Sequence, residues 1–147
     1  MNQTKNQQAH KSLLLIAHGS RRAAANKEVQ ALAAELEQLL SEESSHTGTS
    51  SQSQWQVQAC FLELAEPSIP QALEHAVQKN TEEIWLLPYF LTEGRHVRED
   101  IPRIIQEFRE KRTEPDVPIH LMDYIGAHQD MSSFLLRLIQ ATYKRVH

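Results

Sequence analysis

An alternation of two hydrophobic periods constrains this chain more than any single motif. Apolar runs bounded by turn residues are each followed by a segment of helical periodicity. "SLLLIAHGS" carries five apolar residues in a row, Leu13 to Ala17, and then breaks at His18-Gly19-Ser20. Such a run suits a strand covered on both faces. "RRAAANKEVQALAAELEQLLSEE" follows, with Ala25, Val29, Leu32, Ala33, Leu36, Leu39 and Leu40 at the spacing of one helix face. "WQVQACFLEL" reads as a second strand. "EPSIPQALEHAVQKN" reads as a helix, with Pro67 and Pro70 suited to its first turn and Ser68 to its cap. "EEIWLLPYFLTEG" is a third strand, and "VREDIPRIIQEFREKR" is a third helix with Ile101, Ile104, Ile105 and Phe108 on one face. "PDVPIHLMDYIG" holds a short fourth strand, and "HQDMSSFLLRLIQATYKRV" closes the chain as a helix.

The order βαβαβαβα predicts a single α/β domain over residues 12–147. Its three layers are a four-stranded parallel sheet and helices on both faces, in a flavodoxin-like winding. Residues 1–11 read as a disordered lead, and the polar, low-complexity stretch 44–54 as a flexible surface loop. The chain has 147 residues, 40% of them apolar and 23% charged, which is enough for one packed core. A net charge of −4 gives no general attraction to nucleic acid or membrane, so an acidic ligand needs a local basic cluster. No apolar run reaches the length of a membrane span, and "MNQTKNQQAHK" lacks the apolar centre of a signal peptide. The cytoplasm is the default expectation. Cys60 is the only cysteine and lies in an apolar stretch, so it reads as a buried thiol. A lone cysteine excludes a disulfide framework and a cysteine-ligated zinc or iron–sulfur site within one chain.

Ligands of such sheets bind beyond the carboxyl ends of the strands, near the point where strand order reverses. That rule sorts the chemistry-bearing residues. His18 lies just past strand one, Glu63 at the end of strand two, and His96 in the loop after strand three. Strands one and three are neighbours in this winding, so the two histidines can meet over one crevice. Neutral imidazole is a good ligand for iron, cobalt, nickel and zinc. In "LTEGRHVRED", Arg95 and Arg98 flank His96 and discourage its protonation, which keeps a lone pair free for metal. The other histidines have structural readings. His10 and His147 lie in terminal segments, His46 in the loop and His75 on a helix, while His120 ends a strand and His128 starts the last helix. "HGS" also resembles a fragment of a phosphate-binding turn, with Gly19 and Ser20 before a helix N-terminus. Neither GxGxxG nor a P-loop lysine accompanies it.

Together, "LLLIAHGSRRAAAN", "FLELAEPSIPQAL" and "LPYFLTEGRHVREDIP" resemble the short, single-domain sirohydrochlorin chelatases, a group of the class II chelatases. The likeness covers about residues 12 to 126, in order and at natural spacing. It implies insertion of Co²⁺, Fe²⁺ or Ni²⁺ into the acidic tetrapyrrole sirohydrochlorin, in cobalamin or siroheme synthesis. The metal is then a substrate, and no other cofactor is required. The family's first histidine falls on His18 and its "G-x-H-x-x-x-D-I-P" histidine on His96, both as metal ligands. The glutamate of "FLEL" falls on Glu63, where a carboxylate can accept a proton or steady the metal, or else cap a neighbouring helix. Gly19, Ser20, Arg21, Arg95 and Arg98 fall on the substrate side, and Arg22 and Arg103 add to the available basic rim. Longer members hold two such units in tandem, so a half-size chain implies a homodimer. The cysteine-rich tail of plant-type members is missing, so their iron–sulfur cluster is not expected. Two other readings stay open on the residues alone. One is a metal or tetrapyrrole carrier with the same site, and the other is a phosphate-binding or phosphoryl-transfer domain built on "HGS".

Overall fold

A computed structural model describes residues 10–46, 54–113 and 116–147. Its strands are β1 (His10–Ala17), β2 (Gln54–Phe61), β3 (Glu83–Pro88) and β4 (Ile119–Leu121). They form one parallel sheet in the order β2-β1-β3-β4, the winding that the alternation predicts. The helices are α1 (Ala23–His46), α2 (Ile69–Gln78), α3 (Ile101–Glu110) and α4 (Met131–Val146). Ser68 caps α2 in a reciprocal capping box with Gln71, so this start signal acts as the sequence suggests.

The boundaries differ in two places. β1 begins at His10, inside the stretch read as a disordered lead, because its polar end pairs with Gln54 on one side while Lys11 pairs with Glu83 on the other. A 2.7 Å ion pair from Lys11 to Glu83 and a 3.1 Å hydrogen bond from Ser12 to Thr81 fix that end. Residues 1–9 of the lead lie outside the described residues. α1 runs through His46, so the predicted loop loses residues 44–46 to the helix and Gln54 to β2; residues 47–53 lie outside the described residues.

Two packed layers hold the sheet. On one face Leu14, Ile16, Cys60, Ile84 and Leu86 meet Ile69 and Leu73 of α2 and Ile101 and Ile105 of α3. On the other face Leu15, Ala17, Ala59 and Phe61 pack beneath Val29, Leu32, Ala33 and Leu36 of α1. The apolar stripe of α1 fades at Leu39, which is exposed. A 24-residue helix is about 36 Å long and the 8-residue strands beneath it about 26 Å, so its last turns overrun the sheet. α4 forms where expected, but none of its residues is buried, so the fourth helix does not complete the second layer.

Candidate metal centre

The site grows from the carboxyl ends of β1, β2 and β3. Parallel pairing continues past the strands: Leu62 N–H donates to the Ala17 carbonyl at 2.9 Å, and Glu63 N–H donates to the His18 carbonyl at 3.0 Å. The loops after β1 and β2 therefore leave side by side. Gly19 permits this approach. Its φ is +95°, and an added Cβ would overlap the Glu63 carbonyl oxygen. Next to Glu63, Leu64 holds a φ of 64°, a left-handed conformation that costs a non-glycine residue roughly 1–2 kcal/mol. On the third side, His96 opens a π-helical turn, His96–Asp100, in which Ile101 N–H reaches back to the His96 carbonyl. Single wide turns of this kind concentrate at functional positions. This one aims His96 back over the sheet.

The result brings His18, Glu63 and His96 together, with one ligand atom of each lying within 4.8 Å of the others. The two imidazole centroids are 5.1 Å apart at 61°. Each histidine is held through Nδ1. His18 Nδ1 lies 3.0 Å from the Gly19 carbonyl oxygen, and His96 Nδ1 lies 2.7 Å from Asp100 Oδ2. Those oxygens accept only, so both Nδ1 atoms carry the hydrogen, and both Nε2 lone pairs are the ones left for a cation. His18 Nε2 stands 3.1 Å from Glu63 Oε1. A cation placed between that lone pair and the carboxylate would be held by both. Two imidazoles and one carboxylate form a ligand set that first-row divalent metals accept while keeping open positions. The side chains of His18, Glu63 and His96 are 45%, 52% and 38% exposed, so the corner is reachable from solvent.

Asp100 forms a second layer. Arg103 reaches its other oxygen at 3.5 Å and also pairs with Glu107 at 3.2 Å. The hydrogen bond from His96, with help from Arg103 and against partial desolvation, holds the Asp100 carboxyl below the usual carboxylate range. A carboxylate behind a metal-ligating imidazole fixes its tautomer and raises its basicity. The sequence reading missed Asp100 as a partner of His96, although their spacing of four places both on one side of a helical turn.

Other predicted residues land differently. Arg95 and Arg98 do not turn their charge on His96. They are 80% and 71% exposed and pair with Glu99 at 3.3 Å and Glu93 at 3.7 Å. Arg21 and Arg22 form no ion pair among the described residues and lie at the exposed start of α1. Ser20 braces the turn. Its N–H donates to Asn26 Oδ1 at 2.9 Å, Asn26 Nδ2 donates back to its carbonyl at 2.7 Å, and its hydroxyl accepts from Arg22 N–H at 3.1 Å. The Ser20 amide and the Arg22 amide are thus used within the turn that precedes α1. Cys60 is buried, which pushes its thiol up to about 12 and keeps it out of metal chemistry.

The fold and the corner define a class of protein: a parallel α/β domain with a two-histidine, one-carboxylate cation site at the mouth of its sheet. The sequence model of the CbiX family matches residues 12–142, and the chain belongs to that family. It is 31% identical over 85 residues to the sirohydrochlorin ferrochelatase of Priestia megaterium, a match covering 58% of this chain and 31% of that enzyme. It is 26% identical over 89 residues to the sirohydrochlorin cobaltochelatase of Saccharolobus solfataricus, covering 58% of this chain and 70% of the relative. The match to the first of these spans under a third of its length. Among solved structures, a CbiX protein of Marinobacter aquaeolei VT8 superposes with a TM-score of 0.66 at 24% identity, covering 92% of this chain and 98% of the other. The sirohydrochlorin chelatase SirB of Bacillus subtilis subspecies spizizenii, in complex with cobalt, gives 0.63 at 23% identity, covering 90% of this chain and 50% of the other. Both likenesses bear on the fold.

Proposed function

We propose that this chain is a sirohydrochlorin chelatase that inserts Co²⁺ or Fe²⁺, with Ni²⁺ as a further candidate, in cobalamin or siroheme synthesis. The observation that carries this reading is the convergence of His18, Glu63 and His96 from three separate loops within 4.8 Å. The metal is a substrate and the reaction needs no other cofactor. Nε2 of His18 and Nε2 of His96 hold the ion, with Glu63 completing a loose set. Three exposed ligands suit delivery, whereas a closed four-ligand cage retains its ion. Insertion exchanges one dication for two pyrrolic protons, so a base must stand beside the metal. Glu63 fills that role for one proton as it leaves the ion, and the second passes to water at this exposed corner.

The macrocycle is a polycarboxylate and asks for basic groups around the corner. Arg21, Arg95 and Arg98 supply them, with Arg22 beside them, and Gly19 and Ser20 shape the floor. The ion pairs of Arg95 and Arg98 are exposed and therefore weak, so a substrate carboxylate replaces Glu99 or Glu93 at little cost. Two copies act together as a homodimer, a reading supported by the apolar side of α4, where Phe134, Leu135, Leu138 and Ile139 are each about half exposed or more. No described helix is long and apolar enough to cross a membrane, and the cytoplasm is the proposed location.

The test is metal insertion followed by the visible spectrum of the tetrapyrrole under excess Co²⁺. The wild-type chain turns over repeatedly, and His18→Ala and His96→Ala each lose most of that rate. Full activity in both variants removes the metal site. A single stoichiometric binding event without turnover assigns the chain to metal or tetrapyrrole carriage instead.

A further inference from the structure

Outside α4 and the end of β4, the large apolar side chains left exposed among the described residues are Leu39, on the overrun of α1, and Leu64, Tyr89 and Leu91, in the loops that leave β2 and β3. Leu64 is 52% exposed and Leu91 71%. Single leucines on a surface are ordinary. These two differ because each sits on a backbone fixed by the close approach of a glycine.

Gly19 lies against the Glu63 carbonyl, the group that leads into Leu64. Glu63 N–H is bonded to the His18 carbonyl, and Ala65 packs into the layer beneath α1. Leu64 is held between them at a φ of 64°. Strain of that kind persists where the surroundings over-determine it, and it clusters at ligand sites. On the other side of the corner, Gly126 N–H donates to the Phe90 carbonyl at 3.0 Å, and a Cβ at Gly126 would overlap the Leu91 carbonyl. Phe90 packs against the core, and its ring centroid lies 6.5 Å from that of His96. Leu64 therefore follows the end of β2 and Leu91 the end of β3, and β1, which carries His18, runs between those strands. Two strand spacings amount to roughly 10 Å.

We propose that Leu64 and Leu91 form an apolar seat for the flat face of the tetrapyrrole, one on each side of the metal corner. The proposal rests on the chelatase reading above and adds which side chains position its substrate. An ion held by His18, Glu63 and His96 enters a macrocycle through its face, because the four pyrrolic nitrogens lie in the ring plane. That face is a conjugated, apolar surface, whereas the carboxylates stand at the rim. The loop after β3 offers both kinds of partner, Leu91 for the face and Arg95 and Arg98 for the rim. Apolar contact releases water from the ligand and from both leucines. A backbone already fixed adds little ordering cost when the ligand arrives.

The experiment compares the full chain with Leu64→Asn, Leu91→Asn and Leu64→Met. Asparagine tolerates the left-handed backbone better than leucine, so Leu64→Asn keeps the fold while removing the apolar group. Metal-free sirohydrochlorin is titrated and followed by its visible absorbance, and Co²⁺ is titrated separately by calorimetry. Each Asn variant should weaken sirohydrochlorin about tenfold and keep the parent's Co²⁺ affinity. In turnover, KM for the tetrapyrrole should rise by more than kcat falls. Leu64→Met should bind like the parent, since it keeps an apolar side chain at that place. A parent that binds no sirohydrochlorin overturns the chelatase reading and the seat together. A parent that binds it no better than both Asn variants overturns the seat alone. A loss of Co²⁺ affinity in Leu64→Asn that matches its loss of sirohydrochlorin also overturns the seat, because Leu64 then acts by placing Glu63.

Discussion

The two histidines of the metal corner are held in opposite ways. His18 is held by backbone: its ring rests on the Gly19 carbonyl, and its own carbonyl takes the Glu63 amide. His96 is held by a relay of side chains, Asp100 and then Arg103, on a π-helical turn. The first arrangement needs one residue type at one place, a glycine that lets two loops touch. The second needs a charge at a set spacing and tolerates gradation. The difference teaches that the β1 loop is fixed geometry, whereas the β3 turn can be tuned.

The largest expected effect is removal of either ring. His18→Ala and His96→Ala should each lower metal affinity more than about 100-fold, beyond what supporting residues command, and calorimetric titration with Co²⁺ measures it. If one variant kept wild-type affinity, the two loops would not share one ion. Next comes Gly19→Ala, which should cost roughly 2–3 kcal/mol of stability through overlap at the Glu63 carbonyl and a disfavoured φ. A thermal melt unchanged by that substitution would break the backbone half of the comparison. Asp100→Asn should leave the melt nearly unchanged and weaken Co²⁺ roughly 10–100-fold, because an amide stabilises the imidazole less well than a carboxylate. Arg103→Leu should move affinity in the same direction by less, since it acts only through Asp100.

The smallest effect lies at the far edge of the sheet and serves as a control. Lys11, and then His120, hold the Glu83 carboxyl below its ordinary value of 4.5. A depressed carboxylate contributes stability that is present above its unfolded pKa and is lost as pH falls through the lower folded value. Glu83→Gln should therefore flatten the acid limb of the melting curve below about pH 4.5 without altering Co²⁺ binding at neutral pH.

Period and punctuation carried most of the fold. The apolar runs and capping signals placed β2, β3 and α2, and the reversal of strand order put His18 beside His96. The start of β1 was hidden because His10, Lys11 and Ser12 are polar; only pairing on both sides makes them strand. Arg95 and Arg98 misled because charge near a histidine in sequence says nothing of direction, and Glu99 and Glu93 take that charge. Asn26 was invisible as the brace of Ser20, since a side chain six residues away becomes a turn partner only once α1 is wound. α4 was legible as a helix, but periodicity does not name what covers its exposed Leu138 and Ile139.

Because every strand pair is parallel, all the chemistry leaves from one edge and the crossovers return to the other. α1 ends at His46 and β2 begins at Gln54, both at that second edge. β2 is registered there by its ladder to β1, whatever number of residues precedes it. A reporter peptide spliced there would travel with the protein and leave the chemistry at the opposite pole undisturbed.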